Sequence, residues 1–126
     1  MPHYTVPTSP AAWLSVTDLS VRYVDQLVVD HVSFGLAQGE IGCLLGASGC
    51  GKTTILRALA GLEPISHGEI RLHDQVLSCA AHVVPPQQRQ MGMVFQDYAL
   101  FPHLNVTENI QFGLKGWRKA ERQQRA

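Results

Sequence analysis

Apolar residues fall into short phased groups along this chain. From Leu14 they alternate with polar neighbours, Leu14 and Val16, then Leu19, Val21 and Tyr23, which predicts a strand with one buried face. A turn around Asp25–Gln26 leads into a second apolar stretch, Leu27 to Phe34. GEIGCLLG differs. Ile41, Cys43, Leu44 and Leu45 run together and end in Gly46, the pattern of a strand buried on both faces. Ile55, Leu56, Leu59 and Leu62 then recur at helical spacing, and Gly61 is placed to end that helix. HGEIRLHDQVL alternates again around a hairpin turn at His73–Asp74.

The later part is less regular. SCAAHVVPPQQRQ has paired prolines and no period, and is expected to be a loop. MGMVF predicts a second short buried strand. Asn105 with Glu108 three residues on is a helix-start pattern, the asparagine as cap and the glutamate reaching back. From Trp117 the pattern is helical and polar, and it runs to the last residue without cap or turn, so the sequence reads as cut. Strand, glycine-rich loop, helix and further strands make an α/β arrangement with an antiparallel flank on its N-terminal side.

Composition narrows the classes without choosing among them. The chain has 126 residues, 45% hydrophobic and 16% charged, which suits one globular domain. Its ten basic and ten acidic residues balance, which argues against a duplex-binding protein. The one charge cluster, KGWRKAERQQR, reads as a solvated helix face. No stretch approaches the ~20 apolar residues of a membrane-spanning helix. The opening MPHYTVPTSPAAW lacks the basic start and apolar run of a secretory signal; residues 1–12 read as a loose leader with three prolines. Cys43, Cys50 and Cys79 are odd in number and show no CxxC spacing, which suits a reducing cytoplasm. The six histidines are scattered, none pairs with another at metal-ligand spacing, and solvated or core roles are expected for them.

GASGCGKTT, Gly46 to Thr54, carries the chemistry. Its first eight residues satisfy G-x-x-x-x-G-K-[ST], set between a buried-strand pattern and a helical one. Gly46, Gly49 and Gly51 allow positive φ and close approach to a phosphate. Successive N–H groups from about Ser48 to Thr53 can face a β-phosphate, each hydrogen bond contributing ~1.5–3 kcal/mol. The helix N-terminus adds ~0.3–1 kcal/mol, so the loop supplies most of the ~8 kcal/mol of a micromolar nucleotide complex. Lys52 is placed to bridge the β- and γ-phosphates, and the Thr53 hydroxyl to ligate Mg²⁺. The expected ATP contacts are therefore Gly46, Ala47, Ser48, Gly49, Cys50, Gly51, Lys52, Thr53 and Thr54. Cys50 stands beside the helix start, a setting that favours a thiolate, and its alkylation should block nucleotide. The loop by itself says only nucleoside triphosphate: kinases, GTPases, helicases and transport ATPases all use it.

MVFQDYALFPHLNVTENIQFGL, Met93 to Leu114, separates these. It resembles the segment that follows the Walker A half of an ATP-binding cassette (ABC) ATPase. The resemblance implies that Gln96 ends a buried strand, opens a flexible loop and brings its side-chain oxygen to Mg²⁺ and the attacking water. It also implies that Asp97 to Asn105 meets a membrane subunit. Tyr23, after LSVR and before an apolar strand, resembles the family's adenine-stacking aromatic; such stacking is worth only ~0.5–1.5 kcal/mol. A kinase would leave Gln96 and its surroundings unexplained.

The resemblance spans Leu14 to Leu114 and implies a P-loop NTPase core with an N-terminal antiparallel flank. Residues 13–114 would be the N-terminal half of the ATPase domain, and 115–126 the start of its helical subdomain, truncated before that subdomain is complete. ATP and Mg²⁺ are the implied cofactors. The implied partners are permease subunits, a second ATP-binding subunit and, indirectly, a periplasmic solute-binding protein, at the cytoplasmic face of the inner membrane; nucleic acid is not expected. GASGCGKTT, LRALAGLEPISHGEI and FPHLNVTENI are most similar to binding-protein-dependent importers. The pairing of Ala47 and Thr53, with the SCAAHVVPPQQRQ connection, is most similar to ferric-iron importers; those for spermidine, sulfate, molybdate or sugars share much of the pattern.

Hydrolysis in that family needs an LSGGQ-like stretch, an apolar run ending in Asp-Glu and a later histidine, and none is found between Met1 and Ala126. The chain is thus expected to hold ATP without turning it over alone. A non-catalytic nucleotide-binding module is the alternative. A soluble ABC ATPase of ribosomes or DNA is disfavoured by the zero net charge and by FPHLNVTENI. A parallel sheet without its remaining strands would expose an apolar edge, so the isolated chain is expected to aggregate or need a partner.

Overall fold

A computed structural model describes residues 12–126. The chain divides into two compact units at Gly92–Met93. The first is built on an antiparallel sheet of β1 (Leu14–Tyr23), β2 (Gln26–Leu36), β3 (His67–Leu72), β4 (Gln75–Cys79) and β5 (His82–Val83), in the order β2-β1-β3-β4-β5. Helix α1 (Lys52–Ala60) lies between β2 and β3 in sequence. One face of the sheet is the core: Val16, Leu19, Val21, Ile70 and Leu77 are wholly buried, and Ile55, Ala58 and Leu59 of α1 join the same cluster.

The phase slip from Val16 to Leu19 is a β-bulge. Val16 faces Phe34 and Leu19 faces Val32, so β1 spends one more residue than β2 over that interval. A complementary slip in β2 follows, where Leu19 and Val21 face Val32 and Val29. The β1–β2 turn is Val24–Asp25, closed by the pair Tyr23 and Gln26, one residue earlier than expected. His73–Asp74 does form the β3–β4 turn. SCAAHVVPPQQRQ is more ordered than a loop: it carries the end of β4, all of β5 and a 3-10 turn at Pro86–Gln88.

The two strands expected to be buried on both faces do not form. Residues 40–47 and 91–95 carry no ladder, Ile41 is 95% and Leu45 88% exposed, and Val94 is 84% exposed. The physical reason is pairing. A central strand needs a hydrogen-bonded neighbour on each side and a covering layer on each face; the described residues pair neither run, and beyond the contacts of Leu44 and Met91 with the core they leave these runs largely bare.

The second unit, described by itself, holds α2 (Val106–Phe112) and α3 (Lys119–Arg125). The capping pair at Asn105 is formed: Asn105 Oδ1 accepts from the Glu108 N–H, and Glu108 Oε2 accepts from the Asn105 N–H, both at 2.9 Å. Asn109 fastens the preceding turn. Its Oδ1 accepts from the Phe101 N–H at 2.9 Å, and its Nδ2 donates to Leu104 O at 3.0 Å. No helix among the described residues is long and apolar enough to cross a membrane.

Candidate functional site

The expected phosphate loop is the connection into α1, and β2 sets its position. Gly51 has φ of 95°, and a Cβ there would lie 2.9 Å from Val28 O and 3.2 Å from Val29 Cγ2. Only glycine meets both the left-handed conformation and that approach to β2. Gly49 is left-handed as well; Gly46 is not, contrary to expectation, and a Cβ there would sit 2.6 Å from the Sγ of the exposed Cys50, which would have to turn aside.

The helix that follows is open at its start. α1 has Gly51 as N-cap, no side-chain cap bond and no acidic residue in its first turn. Within the loop, among the described hydrogen bonds, only the Cys50 N–H is used, donating to Ala47 O at 3.3 Å. Unpaired N–H groups at the positive end of a nine-residue helix are suited to an anion. Lys52 Nζ folds back to donate to Gly46 O at 2.8 Å and Ala47 O at 2.7 Å, with Cys50 Sγ at 3.6 Å. These carbonyls are weak partners for an ammonium beside a phosphate, so the arrangement can exchange them for one. Ser48, Cys50 and Thr53 are exposed, with the Thr53 hydroxyl on the first turn of α1.

Tyr23 closes the β1–β2 ladder beside this helix. Interaction of its hydroxyl with the Glu63 carboxylate pushes the phenol pKa up; burial adds to the rise, and Thr54 opposes it. The ring is 41% exposed, so part of it is free to meet a ligand. Gln96 belongs to the second unit, where it opens the turn Gln96–Ala99, with Tyr98 and Ala99 at positive φ. The structure thus brings together Gly46–Thr54 and Tyr23, and gives Gln96 its local setting only.

Sequence reasoning missed Arg89, which holds the far end of α1. Among the described residues it is the largest wholly buried side chain, 1% exposed, and its hydrogen-bond partners are carbonyls and a hydroxyl, with no carboxylate among them. Its Nη1 donates to Ala58 O at 3.0 Å and Leu59 O at 2.9 Å, its Nε to Val84 O at 2.7 Å, and its Nη2 to Leu77 O at 3.1 Å and Ser78 Oγ at 2.6 Å. Burial pulls its pKa below the ordinary value. The carbonyls of the last helical turn are the negative end of the helix, which stabilises a cation there. Gly61 makes room: it is the left-handed C-cap, at φ 80°, and a Cβ on it would lie 2.4 Å from Arg89 Nε. Arg89 thereby ties the C-terminal end of α1 to β4 and to the Val84 turn.

The family model for the ABC transporter matches residues 29–126. The Fe(3+) ions import ATP-binding protein FbpC 2 of Haemophilus influenzae is 50% identical over 101 residues, covering 80% of this chain and 28% of that protein. The putrescine transport ATP-binding protein PotG of Escherichia coli is 52% identical over 102 residues, covering 81% of this chain and 26% of that protein. The chain therefore spans about a quarter of the length of the curated relatives it matches. A dimeric ATP-binding cassette in a post-hydrolysis state bound to ADP and Pi superposes with a TM-score of 0.76 at 22% identity, covering 88% of this chain and 53% of that one.

Proposed function

Because the chain belongs to the ABC transporter family, we propose that it is the nucleotide-holding part of an importer's ATP-binding subunit, with Gly46–Thr54 as the ATP·Mg²⁺ site. The observation that carries this reading is the uncapped start of α1 behind a loop whose lysine rests on its own carbonyls. The loop N–H groups and the Lys52 ammonium neutralise phosphate charge, and the Thr53 hydroxyl takes a place on the metal. Tyr23 offers its partly exposed ring for stacking on the base. Gln96 is the residue through which metal and water are sensed, and the exposed Asp97–Asn105 stretch is the surface for a permease subunit. Bound ATP·Mg²⁺ supplies the charge that these groups are arranged to meet.

In the whole protein two such subunits act together at the membrane, with hydrolysis completed by parts outside this chain. Relatives named for ferric iron and for putrescine are similar to this chain to the same degree, which supports ferric iron or a polyamine as the cargo ahead of sulfate, molybdate or a sugar. Cells carrying the whole gene would separate these by uptake of labelled iron or labelled putrescine. For the nucleotide site itself, a fluorescent ATP analogue should bind the wild-type chain with Mg²⁺ and lose at least tenfold in affinity in Lys52→Ala. Equal binding by the two chains would remove the loop from the site.

A further inference from the structure

Away from the phosphate loop, three side chains from three adjacent strands converge on the sheet. Asp18 on β1 and His31 on β2 meet at 2.9 Å, Asp18 Oδ1 to His31 Nδ1, and Asp18 Oδ2 meets His67 Nε2 of β3 at 3.2 Å. Their nearest ligand atoms all lie within 4.8 Å of one another. We infer that Asp18, His31 and His67 form a surface site for a divalent first-row metal of the zinc class, separate from the magnesium of the nucleotide site.

The backbone is shaped for this convergence. Asp18 sits in the β1 bulge at φ 55° and His31 in the β2 slip at φ 47°. Non-glycine residues rarely take such angles, and a bulge re-aims one side chain without disturbing its neighbours' burial. Both positions are tied down: the Asp18 N–H donates to Ser33 Oγ at 2.8 Å, and the His31 N–H to Ser20 Oγ at 3.0 Å. Gly68, next to His67, is left-handed too, and a Cβ on it would lie 2.4 Å from Asp18 O, so β3 comes close only because that Cβ is missing. Three local departures from ideal strand geometry thus serve one constellation.

The chemistry of the donor set selects the ion. Two imidazoles and a carboxylate suit Zn²⁺, Cu²⁺, Ni²⁺ or Co²⁺, whereas Mg²⁺ takes oxygen ligands and keeps its waters. Tetrahedral zinc with bonds of ~2.0–2.1 Å sets its ligand atoms about 3.3 Å apart. The 2.9 and 3.2 Å spacings run to the two different oxygens of Asp18, and with one ligand atom from each residue the three lie within 4.8 Å of one another, so the exposed side chains must draw together by up to about 1.5 Å to share one ion. Asp30 Oδ1 stands 3.7 Å from His31 Nε2, the far ring nitrogen, where a carboxylate commonly orients a ligating histidine. The three side chains are half exposed, at 51%, 56% and 59%, which leaves entry open and a further coordination position for water or an external donor.

The test is equilibrium dialysis of the full chain against Zn²⁺, with the cysteines first capped by N-ethylmaleimide so that thiolates do not compete. One Zn²⁺ per chain is expected, with no comparable retention of Mg²⁺. His67→Ala and Asp18→Asn should each weaken binding by at least about 100-fold, since loss of an outer-shell partner alone typically costs 10–100-fold. His73→Ala, in the β3–β4 turn, should leave it unchanged. Zinc retained equally by His67→Ala, or absent from the wild type, overturns the site. Should a variant fold poorly, the imidazole ¹⁵N resonances of the wild type decide: zinc must shift His31 and His67 together, and no shift in either overturns the site equally.

Discussion

Replacing Arg89 by methionine tests how α1 is held. Methionine fills much of the same volume and removes a buried charge, so the substitution isolates the hydrogen bonds. Of the five acceptors, Leu77 O keeps the Val84 N–H and Ala58 O keeps the Gly61 N–H. Val84 O, Leu59 O and Ser78 Oγ lose the donor described for them. A buried polar atom left without a partner costs ~1–3 kcal/mol, and relief of guanidinium desolvation returns part of that. Three such atoms cost about 3–9 kcal/mol together, and with that relief subtracted the net expected loss is ~3–5 kcal/mol. With a urea dependence of ~1–3 kcal/mol per molar, the unfolding midpoint should fall by roughly 2 M. Far-UV circular dichroism in urea, at low protein concentration, reads this directly. Arg89→Lys should recover only part of the loss, because one ammonium cannot span carbonyls on α1, β4 and the Val84 turn together. If Arg89→Met stays within about 1 kcal/mol of the parent, the guanidinium is a passenger and the reasoning fails.

Gly61→Ala should lose more than ~2 kcal/mol from strain at φ 80° and from displacing Arg89, and in Arg89→Met the penalty should shrink, a coupling that a double-mutant cycle in urea would read. N-ethylmaleimide at Cys50 should abolish binding of the fluorescent ATP analogue, and excess ATP·Mg²⁺ should slow the labelling; unchanged binding by the labelled chain would place Cys50 away from the phosphates. The bare apolar runs at Ile41, Leu45 and Val94 should drive self-association. In sedimentation velocity the parent should show concentration-dependent species and Ile41→Lys with Leu45→Lys fewer; a parent monomeric at all concentrations would count against this.

The phosphate loop was legible because its chemistry is local: nine successive residues carry the glycines, the lysine and the hydroxyls. The same holds for the capping pair of Asn105 and Glu108 and for the hairpin at His73–Asp74. Arg89 was not legible. Its partners lie up to 31 residues away, and one arginine in a proline-bearing stretch has no pattern to mark it. The histidines show the same limit: 13 and 49 residues separate Asp18 from His31 and His67, so no spacing rule joins them. A trace was present in the slip of phase between Val16 and Leu19, which marks the bulge that turns Asp18 outward. The two unformed strands failed for the opposite reason. Their apolar runs are correct for a doubly covered strand, but pairing is a property of the neighbours, and Ile41–Leu45 and Met91–Phe95 find none among the described residues.

The Arg89 clamp also gives the chain an order in time. Helix α1 is complete at Ala60, yet the groups that anchor its last turn arrive only with residue 89, 31 positions after Ala58. At ~5–20 residues per second, a ribosome needs roughly 2–6 s to add that interval. Through that interval the last-turn carbonyls of α1 lack the donors that Arg89 gives them in the finished fold. A chain cut before residue 89 would therefore carry α1 with the carbonyls of its last turn unanchored.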